Sequence, residues 1–112
     1  MKNHDVFFSV KGSSVIGFVP ASLAIEPGDT VTFTNGDTAG HSVIPDSGLF
    51  GIYAEIPLAG IGRKRLINPT DSVLSNRSEP ILFEKAGTFG YHDQFGHKGI
   101  IEVKAPAMAG GK

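Results

Sequence analysis

Short stretches rich in β-branched and aromatic residues recur along the chain, and turn residues close each of them. Glycine and proline interrupt the hydrophobic pattern before any stretch reaches the roughly ten residues that a periodic helix needs. The stretches that we predict as strands are Val6–Val10, Val15–Val19, Thr30–Asn35, His41–Ile44, Ile81–Glu84, Thr88–Asp93 and Gly99–Val103. About seven strands with little helix indicate an all-β sandwich or barrel.

In two of these stretches, successive side chains are predicted to face opposite sides of the sheet, as in half-buried strands. In Thr30–Asn35 the apolar residues are predicted to face one side of the sheet and the threonines the other. In the strand before the last, the same period of two places Phe89, Tyr91 and Asp93 on one face. His92 then points to the opposite side of the sheet.

The length of the chain bounds its organisation. Its 112 residues supply enough material for one core, so we expect a single domain over residues 1–104. From Gly48 to Ile67 the pattern weakens, which predicts a long irregular connection with room for a short helix. The segment 105–112 lacks any core-forming pattern and is predicted to be a flexible tail.

Composition and charge exclude several classes of function. Ten basic residues against eleven acidic ones leave a formal net charge of −1, so no global field favours nucleic acid or an anionic membrane. The 40% of hydrophobic and 19% of charged residues are ordinary for a globular protein, and no membrane span is expected. The absence of cysteine excludes disulfides and thiolate metal sites. Residues 1–5 show no signal-peptide pattern.

Three of the four histidines fall where a sandwich would bring them to the same end. His41 follows the strand at Thr30–Asn35, and His92 and His97 flank the penultimate turn. Neutral imidazole is the commonest protein ligand for copper and zinc. One loop histidine is usually a surface residue, but three at one end predict a metal site.

No arrangement typical of an enzyme accompanies these histidines. Ser42 and Asp46 lie too close in sequence to His41 to imply a triad, and no serine has the glycine pattern of a nucleophile elbow. The step Gly60-Ile61-Gly62 is half of a dinucleotide-binding motif without its strand and helix. We therefore expect a protein that is not an enzyme.

Two blocks of sequence frame most of the chain. The first runs from Pro20 to Asn35, through Glu-Pro-Gly-Asp-Thr-Val, and continues in Gly40-His41-Ser42-Val43. The second runs from Lys85 to His92, through Gly-Thr-Phe-Gly-Tyr, and continues in Gly99–Val103. In order and spacing both resemble the cupredoxins, small copper proteins of plastocyanin and amicyanin type. The resemblance implies a Greek-key β-sandwich of about seven to eight strands in a periplasmic or extracellular protein.

The resemblance also implies which residues hold the metal. His41 matches the family's first histidine ligand, and Asp93 stands at the position of its cysteine ligand. His97 matches either the second histidine or the methionine, since the loop from Asp93 to Gly99 is short for the family. His92 would face away from the metal unless the strand ends in a bulge.

The missing sulfur ligands change the expected chemistry. A blue copper site depends on a short copper–thiolate bond and a weak axial thioether, and this ligand loop offers neither. Carboxylate and imidazole ligands suit Cu(II) or Zn(II) and hold Cu(I) poorly. We therefore predict a non-blue, type 2 site for Cu2+, with zinc as the second candidate, in a protein for metal storage, delivery or sensing.

Two other functions stay open. One is a metal-free β-sandwich that serves as a binding or structural module. The other is a copper electron-transfer protein with a sulfur-free site, which needs a protein partner for electron exchange. The metal binder also needs a source of its ion, and a partner protein is one candidate.

Overall fold

The computed structural model describes residues 2–11, 14–61, 65–66 and 73–105 of the chain. Its strands, in chain order, are β1 (Asn3–Lys11), β2 (Ser14–Val19), β3 (Ser22–Ile25), β4 (Asp29–Asn35), β5 (His41–Pro45), β6 (Ile56–Leu58), β7 (Arg65–Leu66), β8 (Val73–Leu74), β9 (Ile81–Phe83), β10 (Gly87–His92) and β11 (Lys98–Val103). Nine of these strands form two sheets, and β7 pairs with β8.

The two sheets make the predicted all-β sandwich. One sheet has the order β2-β1-β4-β9 and the other the order β3-β11-β10-β5-β6. Strands β1 and β4 run parallel, as do β3 and β11, while the other neighbours are antiparallel. Each of the seven predicted strands is present in these two sheets, which contain β3 and β6 in addition.

The two additional strands are too short to produce a hydrophobic period. Strand β3 has four residues and gains its place by pairing with β11, which lies far away in sequence. Strand β6 has three residues, one of them Pro57, and it lies at the edge of its sheet. Proline is tolerated at such an edge because the missing N–H is not needed by a neighbour.

Aromatic side chains fill the space between the sheets, and Tyr91 lies at the centre of this core. Its ring packs edge-on against three phenylalanine rings, at centroid distances of 4.9, 5.3 and 5.9 Å: Phe18, Phe33 and Phe50. Edge-to-face contacts of this kind are favourable because the ring edge is electropositive and the ring face electronegative. This packing fixes the position of β10 at Tyr91, two residues before Asp93.

Burial follows the predicted alternation. In β4, Val31 and Phe33 are buried between the sheets. In β10, Tyr91 and the following Asp93 are also buried, whereas His92 between them is on the outer face. The period of two thus delivers the carboxylate of Asp93 to the interior.

The region from Gly48 to Ile67 differs from the expectation of a short helix. Its described residues, 48–61 and 65–66, contain no helix. Phe50 and Tyr53 pair in an isolated bridge, and the buried Phe50 ring packs 5.2 Å from that of Phe83. Burial of this one aromatic side chain, rather than a helical face, anchors the connection.

The C-terminal segment is described only as far as Ala105. Ala105 follows β11 and is exposed, and the rest of the predicted tail, residues 106–112, lies outside the described residues. Across the described ranges, no helix is long and apolar enough to cross a membrane.

A buried carboxylate joins β1 to the start of β4. Asp29 is 5% exposed and accepts hydrogen bonds from His4 Nε2 at 3.0 Å, Lys2 N at 3.0 Å and Glu26 N at 3.1 Å. The bond with His4, followed by the two backbone bonds, holds the pKa of Asp29 at about 2. This cluster uses His4 for structure, at the far end of β4 from His41.

The lowered pKa of Asp29 predicts how stability depends on pH. In the unfolded chain this carboxyl regains its ordinary pKa of 3.8. Its contribution to stability is therefore complete above about pH 4 and is lost as the pH falls toward about 2. We expect Asp29→Asn to flatten this part of the pH profile of the free energy of unfolding, measured by urea denaturation. Asp5→Asn, at an exposed position of β1, is the control, and an equal change in both variants would contradict the prediction.

Candidate metal centre

The loop between β4 and β5 is folded back on a buried asparagine. Asn35 Nδ2 donates to the carbonyl oxygens of Ala39 at 2.8 Å and Ala59 at 3.0 Å. Its Oδ1 accepts a bond from Asp37 N at 2.9 Å. Buried amides need such partners, so the loop has one arrangement, which places Asp37 beside His41, the first residue of β5.

The loop after β10 closes around Asp93. Asp93 N donates to His97 O at 2.9 Å, and Asp93 Oδ1 accepts bonds from Phe95 N at 3.0 Å and His97 N at 2.7 Å. Asp93 is only 1% exposed. With Oδ1 taken by the loop backbone, Oδ2 is the oxygen that faces the other side chains.

The imidazoles of His41 and His97 both contact Asp93 Oδ2, and each does so through its Nδ1 atom. Asp93 Oδ2 lies 3.0 Å from His41 Nδ1 and 2.7 Å from His97 Nδ1. The other nitrogen of His41, Nε2, lies 2.8 Å from Asp37 Oδ2. The structure therefore brings together His41, Asp93 and His97, three of the four residues that the sequence predicted for the site, and adds Asp37.

Sequence reasoning missed Asp37. An acidic residue four positions before a histidine in a loop is common, and no period relates the two side chains. Only the fold of the loop on Asn35 turns the carboxylate toward the ring.

Aromatic rings enclose the site on one side and leave it open on another. His41 is 4% exposed and stacks on Phe8 at 3.8 Å between ring centroids. His97 meets Phe8 edge-on at 5.2 Å, but its side chain is 33% exposed. Phe95, which is 65% exposed, lies 5.4 Å from His41. Solvent thus reaches the site at His97.

Both carboxylates of the site favour their charged form. Burial alone would raise the pKa of Asp93, but the hydrogen bonds from the His97 backbone and ring, from His41 and from Phe95 outweigh it and lower that pKa. The hydrogen bond with His41 is the main cause of the lowered pKa of Asp37. At neutral pH the site therefore holds two negative charges beside two imidazoles.

The structure separates His92 from the other candidate residues. Strand β10 keeps a regular register with β11 up to His92, so the strand does not end in a bulge. His92 Nδ1 instead lies 2.6 Å from Asp46 Oδ1 on the outer face of the sheet, where both side chains are at least one-third exposed.

Comparison with known proteins places this chain in a family. No protein-family model matches the chain. A plastocyanin from Scenedesmus fuscus is 30% identical over 96 residues, which cover 82% of this chain and 91% of the plastocyanin. The chain belongs to the cupredoxin family.

Solved cupredoxin structures share the fold of this chain. A reduced amicyanin variant has a TM-score of 0.55 at 22% identity, covering 91% of this chain and 82% of its own. A pseudoazurin from Sinorhizobium has a TM-score of 0.57 at 24% identity, covering 96% of this chain and 77% of its own.

The side chains of this cupredoxin are held for hydrogen bonding rather than for coordination. In the described part of the chain, no group of three or more His, Cys, Asp or Glu side chains is spaced to hold a metal ion as it stands. The chemistry of the donors nevertheless fits copper or zinc, which accept imidazole nitrogen and carboxylate oxygen at about 2.0–2.2 Å. Ligands at that radius lie roughly 3 Å apart, close to the separations at Asp93 Oδ2. The donors that would hold such an ion are Nδ1 of His41, Oδ2 of Asp93 and Nδ1 of His97.

The central position of Asp93 predicts a large cost for its removal. Asp93→Ala leaves two imidazoles and two backbone N–H groups without their acceptor, so we expect the free energy of unfolding of the metal-free protein to fall by about 3 kcal/mol. Asp46→Ala removes an exposed carboxylate that is also bonded to a histidine, and we expect a loss below about 1 kcal/mol. Chemical denaturation compares the two. Similar losses would show that Asp93 does not organise the site.

Proposed function

We propose that this cupredoxin is a non-enzymatic metal-binding protein that holds Cu(II) through His41, Asp93 and His97. The observation that carries the proposal is that Nδ1 of both imidazoles faces the same carboxylate oxygen. That carboxylate stands where the family resemblance places a cysteine ligand. Zn(II) is the second candidate, since it accepts the same donors.

The donor set favours a divalent ion. Imidazole and carboxylate are harder ligands than thiolate and thioether, and they stabilise Cu(II) or Zn(II) better than Cu(I). The two negative charges of Asp37 and Asp93 also balance the two positive charges of a divalent ion. Storage, delivery or sensing of the metal therefore accounts for the site better than electron transfer, which needs both copper oxidation states to be held.

The shape of the site suits exchange of the ion. His41 and Asp93 are buried, whereas His97 is one-third exposed. An ion would enter and leave at His97, where a partner protein could deliver or accept it. The family resemblance supports a periplasmic or extracellular location for this exchange.

One observation favours a metal-free binding or structural module as the second candidate. Both ring nitrogens of His41 and both carboxylate oxygens of Asp93 have hydrogen-bond partners without any ion. A cluster with all of its polar atoms satisfied is stable by itself. The site could then be a structural remnant of a metal centre.

Titration of the metal-free protein with Cu(II) tests the proposal. We expect one saturable site with weak d–d absorption and the electron spin resonance of type 2 copper. His41→Ala and Asp93→Asn should abolish it, because each removes a ligand. His92→Ala is the matched control and should bind copper as the unaltered protein does, since His92 is bonded to Asp46 outside the site. Zn(II) competition then measures the preference between the two metals.

Other outcomes would reject this assignment. A blue spectrum with small copper hyperfine splitting would contradict a sulfur-free site. Absence of saturable binding would favour the metal-free module. Loss of the signal in His92→Ala or His4→Ala alone would place the copper away from Asp93.

A further inference from the structure

We propose that Asp37 is a positioning residue that makes this site prefer a divalent over a monovalent ion. The inference rests on the proposed binding of metal at His41, Asp93 and His97. Asp37 would not touch the ion, because it bonds to the ring nitrogen of His41 on the opposite side from Asp93.

With the ion bound beside Asp93, as proposed, the contact with Asp37 involves the other ring nitrogen of His41. Asp37 Oδ2 accepts a hydrogen bond from Nε2 at 2.8 Å, so Nε2 carries a proton. A ligand histidine commonly donates its second N–H to a carboxylate in this way, which fixes the ring orientation and raises the basicity of the ligand nitrogen. Nδ1, which faces Asp93, is left as the ligand.

Asp37 is held in place by the chain around it. Its Oδ1 accepts a bond from Thr38 N at 2.7 Å, and its backbone carbonyl accepts one from Ile61 N at 2.8 Å. Gly60 lies so close to the carbonyl oxygen of Thr38 that a Cβ at position 60 would clash with it. The carboxylate is therefore in position before any ion arrives, and its orientation costs nothing at the moment of binding.

The charge of Asp37 discriminates between ions by their charge. A carboxylate attracts a divalent ion twice as strongly as a monovalent ion at the same place. Solvent screens this attraction weakly here, since His41 is 4% exposed and Asp37 19% exposed as side chains. Asp93 supplies one negative charge as a ligand. Asp37 adds a second negative charge on the far side of the His41 ring, to which it is hydrogen-bonded. Together they favour Cu(II) and Zn(II) over Cu(I).

The chain contains a matched pair for comparison. Asp46 bonds to His92 at 2.6 Å, much as Asp37 bonds to His41, but it lies on the outer face of the sheet. Replacing either aspartate by asparagine removes the same charge from the same kind of contact. Only the change at Asp37 should alter metal selectivity.

The test measures the dissociation constants of the full chain for Cu(II), Zn(II) and, under reducing anaerobic conditions, Cu(I), each by competition with a chelator. We expect Asp37→Asn to weaken binding of Cu(II) and Zn(II) by about 10- to 100-fold. Binding of Cu(I) should weaken by only about 3- to 10-fold, because half the ionic charge halves the lost attraction and the fold-change becomes its square root. Asp46→Asn should change each constant by less than about twofold.

Asp37→Glu separates charge from loop structure. It keeps the negative charge in an altered side chain, so the ratio of Cu(II) to Cu(I) affinity should stay within about twofold of that of the unaltered protein. An equal loss for all three ions in Asp37→Asn, or the same change of ratio in Asp37→Glu, would overturn the role of Asp37. Failure of the unaltered protein to bind any ion would overturn the proposed function together with this inference.

Discussion

The buried carboxylate of Asp93 is the group on which the candidate-site end of the sandwich depends. Its Oδ1 holds the backbone of the loop after β10, and its Oδ2 holds the imidazoles of His41 and His97. A charge removed from water must be compensated by hydrogen bonds. The loop, the start of β5 and both rings are therefore arranged around this one side chain, and Tyr91 in the core sets its position.

The sequence predicts the parts of this arrangement that follow from strand periodicity. Alternation in β10 places Tyr91 and Asp93 inside and His92 outside, and the family resemblance adds His41. Strands β3 and β6 are not predictable in this way, because residues distant in sequence define them. Asp37 is missed for a related reason. Its contact with the histidine ring depends on a loop that folds around a buried asparagine, which no local pattern encodes.

The same atoms can serve two states of the protein. Without metal, protons between the ring nitrogens and carboxylates satisfy the buried groups. In the proposed metal-bound state, His41, Asp93 and His97 would hold the ion, while the hydrogen bond that His41 Nε2 donates to Asp37 Oδ2 remains. Under the proposed function, a carboxylate at the position that the family resemblance gives to a cysteine ligand would shift the chemistry of the site toward hard, divalent ions.

The central claim is that Asp93 occupies the place of the metal's missing thiolate ligand, and Asp93→Cys tests it most directly. Visible absorption and electron spin resonance of this variant are recorded after addition of Cu(II). The account predicts an intense sulfur-to-copper charge-transfer band, which the unaltered protein lacks, because two imidazoles and a thiolate then converge on the ion. Only weak d–d absorption, with the new thiol still free to react, would contradict the claim.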